Sequence, residues 1–187
     1  MSEQRPAIAV LVGSLRKASF NKKLAHALEK IAGARAEFRY INIGDLPLYN
    51  QDMEADYPAV CEEHKAAIRA CDAVLFVTPE YNRSIPGVLK NAIDVCSRPY
   101  GTNPFAGKPG AVIGTSMGAM STALAQQHLR NVCVFLEIFL MTQPEAFVRY
   151  KEGLVAEDGS ITDDSVRGFL ATFVDKYLAW VAQFSQQ

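Results

Sequence analysis

Two runs, Ala7-Ile8-Ala9-Val10-Leu11-Val12 and Ala73-Val74-Leu75-Phe76-Val77-Thr78, constrain this chain more than any other feature. A strand with one wet face alternates polar and apolar residues. Runs as continuously apolar as these belong to strands covered on both faces, the situation inside a parallel sheet packed between helices. Helical spacing follows each run. After the first come Leu24, Ala27, Leu28 and Ile31, stopped by Gly33; after the second, Pro86 suits a first helical turn before Leu89, Ala92, Ile93 and Cys96.

The rest of the chain repeats this β-α alternation. Residues Ala36 to Ile43 supply a second strand, Ala111 to Thr115 a fourth, and a fifth is expected near Glu137 to Thr142. Val60, His64, Ala67, Ile68 and Cys71 share one helical face, a helix is expected from about Ser121 to Asn131, and Pro99 to Pro109 reads as loop. Thr162-Asp163-Asp164 opens the clearest amphipathic helix, marked by Val166, Phe169, Leu170, Phe173, Val174, Tyr177, Leu178 and Val181. The connection from Gly44 to Pro58 is long for such a unit, which suggests a lid or an oligomer contact. Five strands alternating with helices imply one α/β domain over residues 1–187, an open doubly wound sheet in three layers. Ligands of such sheets sit beyond the carboxyl ends of the strands, so the loops after Val12, Thr78 and Thr115 are the candidates.

Charge narrows the partners. Lys plus Arg (19) nearly cancels Asp plus Glu (20), so no strong field draws the chain to nucleic acid or an anionic membrane, and small molecules are the expected partners. Cys61, Cys71, Cys96 and Cys133 lie 10, 25 and 37 residues apart, without zinc-ligand or C-x-x-C spacing, and read as reduced, partly buried thiols. Met1 to Pro6 leads into an apolar run too short for a secretion leader or a membrane span, so a cytoplasmic protein is expected. His26, His64, Asp94 and Glu145 are isolated, and no metal ligand or catalytic side chain is assigned.

Gly13-Ser14-Leu15-Arg16-Lys17-Ala18-Ser19-Phe20-Asn21 closes the first strand and opens a helix. A helix N-terminus presents unpaired N–H groups and partial positive charge, which suits a phosphate; Ser14 and Ser19 add hydroxyls, Asn21 an amide and Arg16 a guanidinium. The plainer alternative is a capped helix with a solvated arginine. The segment is neither a G-x-G-x-x-G fingerprint nor a P-loop. Pro79-Glu80-Tyr81-Asn82-Arg83-Ser84-Ile85-Pro86-Gly87 could border a flat ring, with Tyr81 as an aromatic face and Asn82 as donor and acceptor, or be only a strand-to-helix turn. Gly114-Thr115-Ser116-Met117-Gly118 matches the G-x-S-x-G elbow of serine hydrolases, although the one later histidine, His128, has no acid between it and Ser116.

Gly13-Ser14-Leu15-Arg16 with Ser19 and Asn21, then Pro79-Glu80-Tyr81-Asn82 with Ser84, Pro86-Gly87, Leu89-Lys90-Asn91-Ala92 and Asp94, resembles the NADPH-dependent FMN reductase family in its quinone and chromate reductase branch, over roughly Ile8 to Pro144. The resemblance implies a flavodoxin-like sheet in order 2-1-3-4-5, bound FMN, and NAD(P)H as electron donor. It implies that Ser14, Leu15, Arg16, Lys17, Ala18, Ser19, Phe20 and Asn21 hold the FMN phosphate. Pro79, Glu80, Tyr81, Asn82 and Arg83 would border the flavin ring and Ser116 would contact it. The implied reaction is ping-pong reduction of quinones, with chromate, azo compounds or free flavin as further acceptors, by a homodimer or homotetramer; a non-catalytic flavodoxin-type carrier is the alternative. The family often carries a Gly-Gly pair and an Arg where this chain has Ser121-Thr122 and Leu124.

Overall fold

The structure is a computed structural model and describes residues 5–184; Met1 to Gln4, part of the segment read for a leader, lie outside the described residues. Strands β1 (Ala7–Val12), β2 (Glu37–Tyr40), β3 (Ala73–Val77), β4 (Pro109–Ser116) and β5 (Phe139–Leu140) form a parallel sheet in the order 2-1-3-4-5. The helices are α1 (Phe20–Ala32), α2 (Ala59–Arg69), α3 (Gly87–Cys96), α4 (Ala123–Phe135) and α5 (Asp164–Ala182). The flavodoxin-like architecture expected from the sequence is the one observed.

The two apolar runs explain this arrangement. In β1, Ile8 and Val10 pack with Leu24 and Leu28 of α1 and Phe173 and Tyr177 of α5. Ala9 and Leu11 face the other way, toward Ile68 of α2, Leu89 and Ile93 of α3 and Leu129 of α4. Each buried Ile, Leu or Phe contributes about 1.5–3 kcal/mol relative to exposure, so the two-faced burial of β1 and β3 outweighs any one cap or ion pair. All four cysteines are free and buried, and burial pushes the Cys96 and Cys133 thiols up to about 12. Among the described residues no helix is long and apolar enough to cross a membrane.

One feature departs from the sequence reading. The expected fifth strand shrinks to two residues, and a sixth, β6 (Ala146–Arg149), takes over the same edge of β4 farther along, pairing Ile113 to Ser116 with Ala146 to Arg149. Pro144 has no N–H to give a ladder, which separates the two pieces, and β6 alternates buried Ala146 and Val148 with exposed Phe147 and Arg149, a weak signature beside a buried run. The long connection after β2 is strapped to α3. Tyr49 N–H donates to Asn91 Oδ1 at 2.8 Å, Asn91 Nδ2 donates to the Pro47 carbonyl at 2.9 Å, and Arg98 lies 3.2 Å from Glu54.

Toward the carboxyl end of the sheet β4 runs under a side chain of the following loop. A Cβ on Gly114 would lie 2.1 Å from the Thr78 carbonyl oxygen and 2.5 Å from Thr122 Oγ1. Gly114→Ala should therefore lower unfolding free energy by about 3 kcal/mol, since backbone and a buried threonine must both yield. Urea denaturation reads this directly, and a midpoint equal to that of the unsubstituted protein refutes the packing.

Candidate active site

The loop after β1 leaves the sheet through Gly13, whose N–H still donates to the Val77 carbonyl at 2.9 Å. A Cβ at Gly13 would press on Leu89, Thr78 and Pro79 at 3.1–3.3 Å, so glycine lets the loop cross close to β3. Ser19 caps α1: its Oγ accepts from Lys22 N–H at 3.2 Å, and its own N–H donates to the Arg16 carbonyl at 3.1 Å. The capping alternative is thus real, and it leaves most of the loop's donors unspent. Among the described residues no acceptor reaches the backbone N–H of Leu15, Arg16, Lys17, Ala18, Phe20 or Asn21. Among the same residues the Ser14 hydroxyl has no partner and the Arg16 guanidinium makes no ion pair or hydrogen bond; it lies over the Phe20 ring, 4.9 Å from the centroid. Beneath, Thr115 Oγ1 is buried without a partner among the described residues. Free N–H groups, a cation and hydroxyls converging on a helix N-terminus are what a phosphate dianion needs.

Within this loop the residues take different positions. Leu15 reaches back to Gly44, where an added Cβ would meet its side chain at 3.0 Å. Lys17 and Ala18 are exposed, and Phe20 is half-buried. The Asn21 side chain is engaged within the protein: 3 % exposed, it accepts from Thr115 N–H at 3.0 Å and donates to the Thr115 carbonyl at 2.9 Å. Its amide clamps α1 to the end of β4 and offers an anion only the backbone N–H.

The second loop is a tight hairpin. Tyr81 and Ser84 exchange backbone hydrogen bonds at 2.9 and 3.0 Å, with Asn82 and Arg83 at φ 49° and 66°, a turn with two left-handed residues. Arginine there costs about 1–2 kcal/mol relative to an ordinary conformation, strain of the kind held at binding sites. Tyr81, Asn82 and Arg83 are exposed and the Asn82 amide has no partner among the described residues. Pro79 is buried against Gly13 and supports the hairpin from below. Glu80 also ties the hairpin to α4: its Oε2 accepts from Leu124 and Ala125 N–H at 3.0 and 3.1 Å, capping that helix, whose own N-cap Thr122 makes no such bond.

Ser116 ends β4 and donates through Oγ to the Ser121 carbonyl at 2.8 Å, while His128 Nδ1 lies 3.0 Å from Ser84 Oγ. Serine and histidine are engaged separately, so the G-x-S-x-G match is a packing pattern: Gly114 makes room for Thr122, and the segment runs on as strand and exposed loop rather than turning directly into a helix. Ser121 adopts φ 49° and is held by its Oγ donating to the Val148 carbonyl at 2.7 Å. Between hairpin and loop opens a cleft of about 330 Å³ lined by Glu80, Arg83, Ser116, Gly118, Met120 and Ser121. Met120 and Tyr150 were not among the residues expected here. The last stacks on Phe20 at 3.8 Å, and no spacing could have signalled a contact between the chain's twentieth residue and the segment after an edge strand.

The sequence profile of the NADPH-dependent FMN reductase family matches residues 6–153. The chain is 54 % identical over 174 residues to a 2-hydroxy-1,4-benzoquinone reductase from Burkholderia sp., covering 93 % of this chain and 95 % of the relative. It is 48 % identical to a quinone reductase from Pseudomonas putida, covering 93 % and 94 %. A flavoenzyme NAD(P)H:(acceptor) oxidoreductase from Paracoccus denitrificans superposes with a TM-score of 0.93 at 48 % identity over 96 % of this chain and 98 % of that one. At 17 % identity, a WrbA-like flavodoxin from Agrobacterium tumefaciens shares the fold with a TM-score of 0.63, covering 94 % and 99 %.

Because two N–H groups of α4 depend on Glu80, Glu80→Ala should cost about 1–2 kcal/mol of stability and Glu80→Gln, which keeps an acceptor, less. Equal unfolding midpoints for Glu80→Ala and the parent protein would remove the cap from this account.

Proposed function

We propose, from the premise that this chain belongs to the NADPH-dependent FMN reductase family, that it reduces quinones at the cleft between the 80–83 hairpin and the loop after β4. As a member it is an oxidoreductase using FMN and NAD(P)H. The observation that carries the proposal is the set of donors from Leu15 to Asn21 beside that cleft that are unspent among the described residues, where the Arg16 guanidinium meets no carboxylate and Thr115 Oγ1 is buried without a partner. These residues fit the group: the backbone N–H groups, Ser14, Ser19 and Arg16 would hold its phosphate. The Asn82 amide and the strained hairpin backbone would border its ring, with Tyr81 and Arg83 at the rim and Ser116 at the floor. FMN, when bound, supplies two-electron chemistry, accepting hydride from NAD(P)H and passing reducing equivalents to an acceptor.

What the chain contributes is placement. No side chain need act as nucleophile or base, because the donors are pre-set on rigid elements: α1 is clamped to β4 by Asn21, and α4 is capped by Glu80. The cleft is open to solvent, so donor and acceptor can use it in turn, which favours a ping-pong order, and the open mouth suits chromate, azo compounds and free flavin besides quinones. A pure electron carrier is the second reading; carriers that dock on basic partners are commonly strongly acidic, and the net charge of −1 favours the enzyme. We further take residues 1–187 as one domain acting in the cytoplasm as a homodimer or homotetramer. Val134 and Phe135, each 77 % exposed at the end of α4, support self-association.

Anaerobic NADPH or NADH should bleach the flavin of the purified protein without a separate reductase, and a benzoquinone should restore the colour; failure to bleach would leave the carrier reading. Arg16→Ala should weaken FMN binding about 10- to 100-fold, the loss of a charge-assisted hydrogen bond, while sparing riboflavin, which lacks the phosphate. Light scattering showing only monomers at micromolar concentration would refute the assembly.

A further inference from the structure

Arg16, Phe20 and Tyr150 form a three-layer stack at the edge of the anion cradle. Tyr150 is 6 % exposed, and its backbone N–H donates to the Ser116 carbonyl at 2.8 Å, so its ring is fixed to the end of the sheet. Phe20, the first residue of α1, lies on that ring at 3.8 Å with planes 19° apart. Its other face carries the Arg16 guanidinium at 4.9 Å.

A long exposed arginine ordinarily samples many rotamers, and fixing it costs conformational entropy. An ion pair could fix it, but would spend the guanidinium's in-plane donors. A ring beneath the guanidinium holds the cation by its face and leaves all five N–H groups at the rim free for an anion. The backbone cooperates, since the Arg16 carbonyl accepts from Ser19 N–H at 3.1 Å, turning this residue back over the start of α1. The cation therefore waits beside the unspent N–H groups of residues 15 to 21.

We propose that Phe20, seated on Tyr150, is a positioning residue that pre-sets Arg16 for the cofactor phosphate and so determines preference for a phosphorylated flavin over the bare one. This rests on the assignment of residues 13–21 as the phosphate site. Lys17 has no stacking partner among the described residues.

The test is the ratio of FMN to riboflavin affinity in the apoprotein, measured by quenching of flavin fluorescence. Phe20→Leu keeps apolar volume but removes the ring. It should weaken FMN about three- to fivefold and shift riboflavin by less than about twofold. Phe20→Tyr should restore the ratio, and in an Arg16→Ala background Phe20→Leu should change it no further. Equal weakening of both flavins by Phe20→Leu, or a further drop of the ratio in the double variant, would overturn the proposal and leave Phe20 as packing for α1. Should Phe20→Leu fail to fold, Arg16→Lys serves: it keeps the charge and loses the planar stack, so it should lower the ratio comparably, and an unchanged ratio overturns the proposal. If instead Arg16→Ala leaves the ratio untouched, the phosphate assignment itself fails, independently of Phe20.

Discussion

A strand covered by helices on both faces can pair its peptide groups only with strands beside it. In β1 and β3 that condition holds along nearly their whole length, and everything else in the molecule follows from meeting it. The sheet must be parallel, the return connections must be helices, and the helices must divide between two faces, α1 and α5 on one and α2, α3 and α4 on the other. Lateral pairing ends where the chain leaves the sheet. The carboxyl edge is thus where backbone donors become free, and helix α1 begins at that edge.

The site is built by tying these loose ends to one another rather than to solvent. Asn21 joins α1 to β4, Glu80 joins the β3 loop to α4, and Ser121 joins the β4 loop to β6 through the Val148 carbonyl. Each tie uses side-chain polar groups and leaves backbone N–H groups of the first loop unused. The economy is consistent with a site that recognises an anion through its backbone, with Arg16 as the one charged group brought over it by aromatic stacking instead of by a carboxylate. Gly114 has the tightest steric constraint of this region, because Thr122 descends into the space its missing side chain leaves.

Much of this was legible beforehand because it rests on local pattern. The buried strands, the helix opened by Asp163, whose side chain accepts from Val166 N–H, and the Ser19 cap all follow from neighbours in sequence. Other features depend on distant partners. An amide and a carboxylate in a loop look available, yet Asn21 and Glu80 have intramolecular partners 94 and 44–45 residues away. The G-x-S-x-G match follows the same rule: its glycine is explained by a threonine packed from above, and its serine by a carbonyl five residues on. Strand β6 escaped notice because an edge strand interrupted by proline carries half the apolar signal of a central one.

What the sequence by itself determined is the layered α/β architecture and a capped helix start, rich in polar groups, at the carboxyl edge of the sheet. These depend on burial periodicity and on the chemistry of a helix start, both encoded within a few residues. Only the tertiary structure decided which polar side chains remain free, because that depends on which distant carbonyl or N–H each one meets. It also decided that a tyrosine after the last strand would lie under Phe20 and a cation above it, a contact between chain segments 130 residues apart that no local pattern specifies.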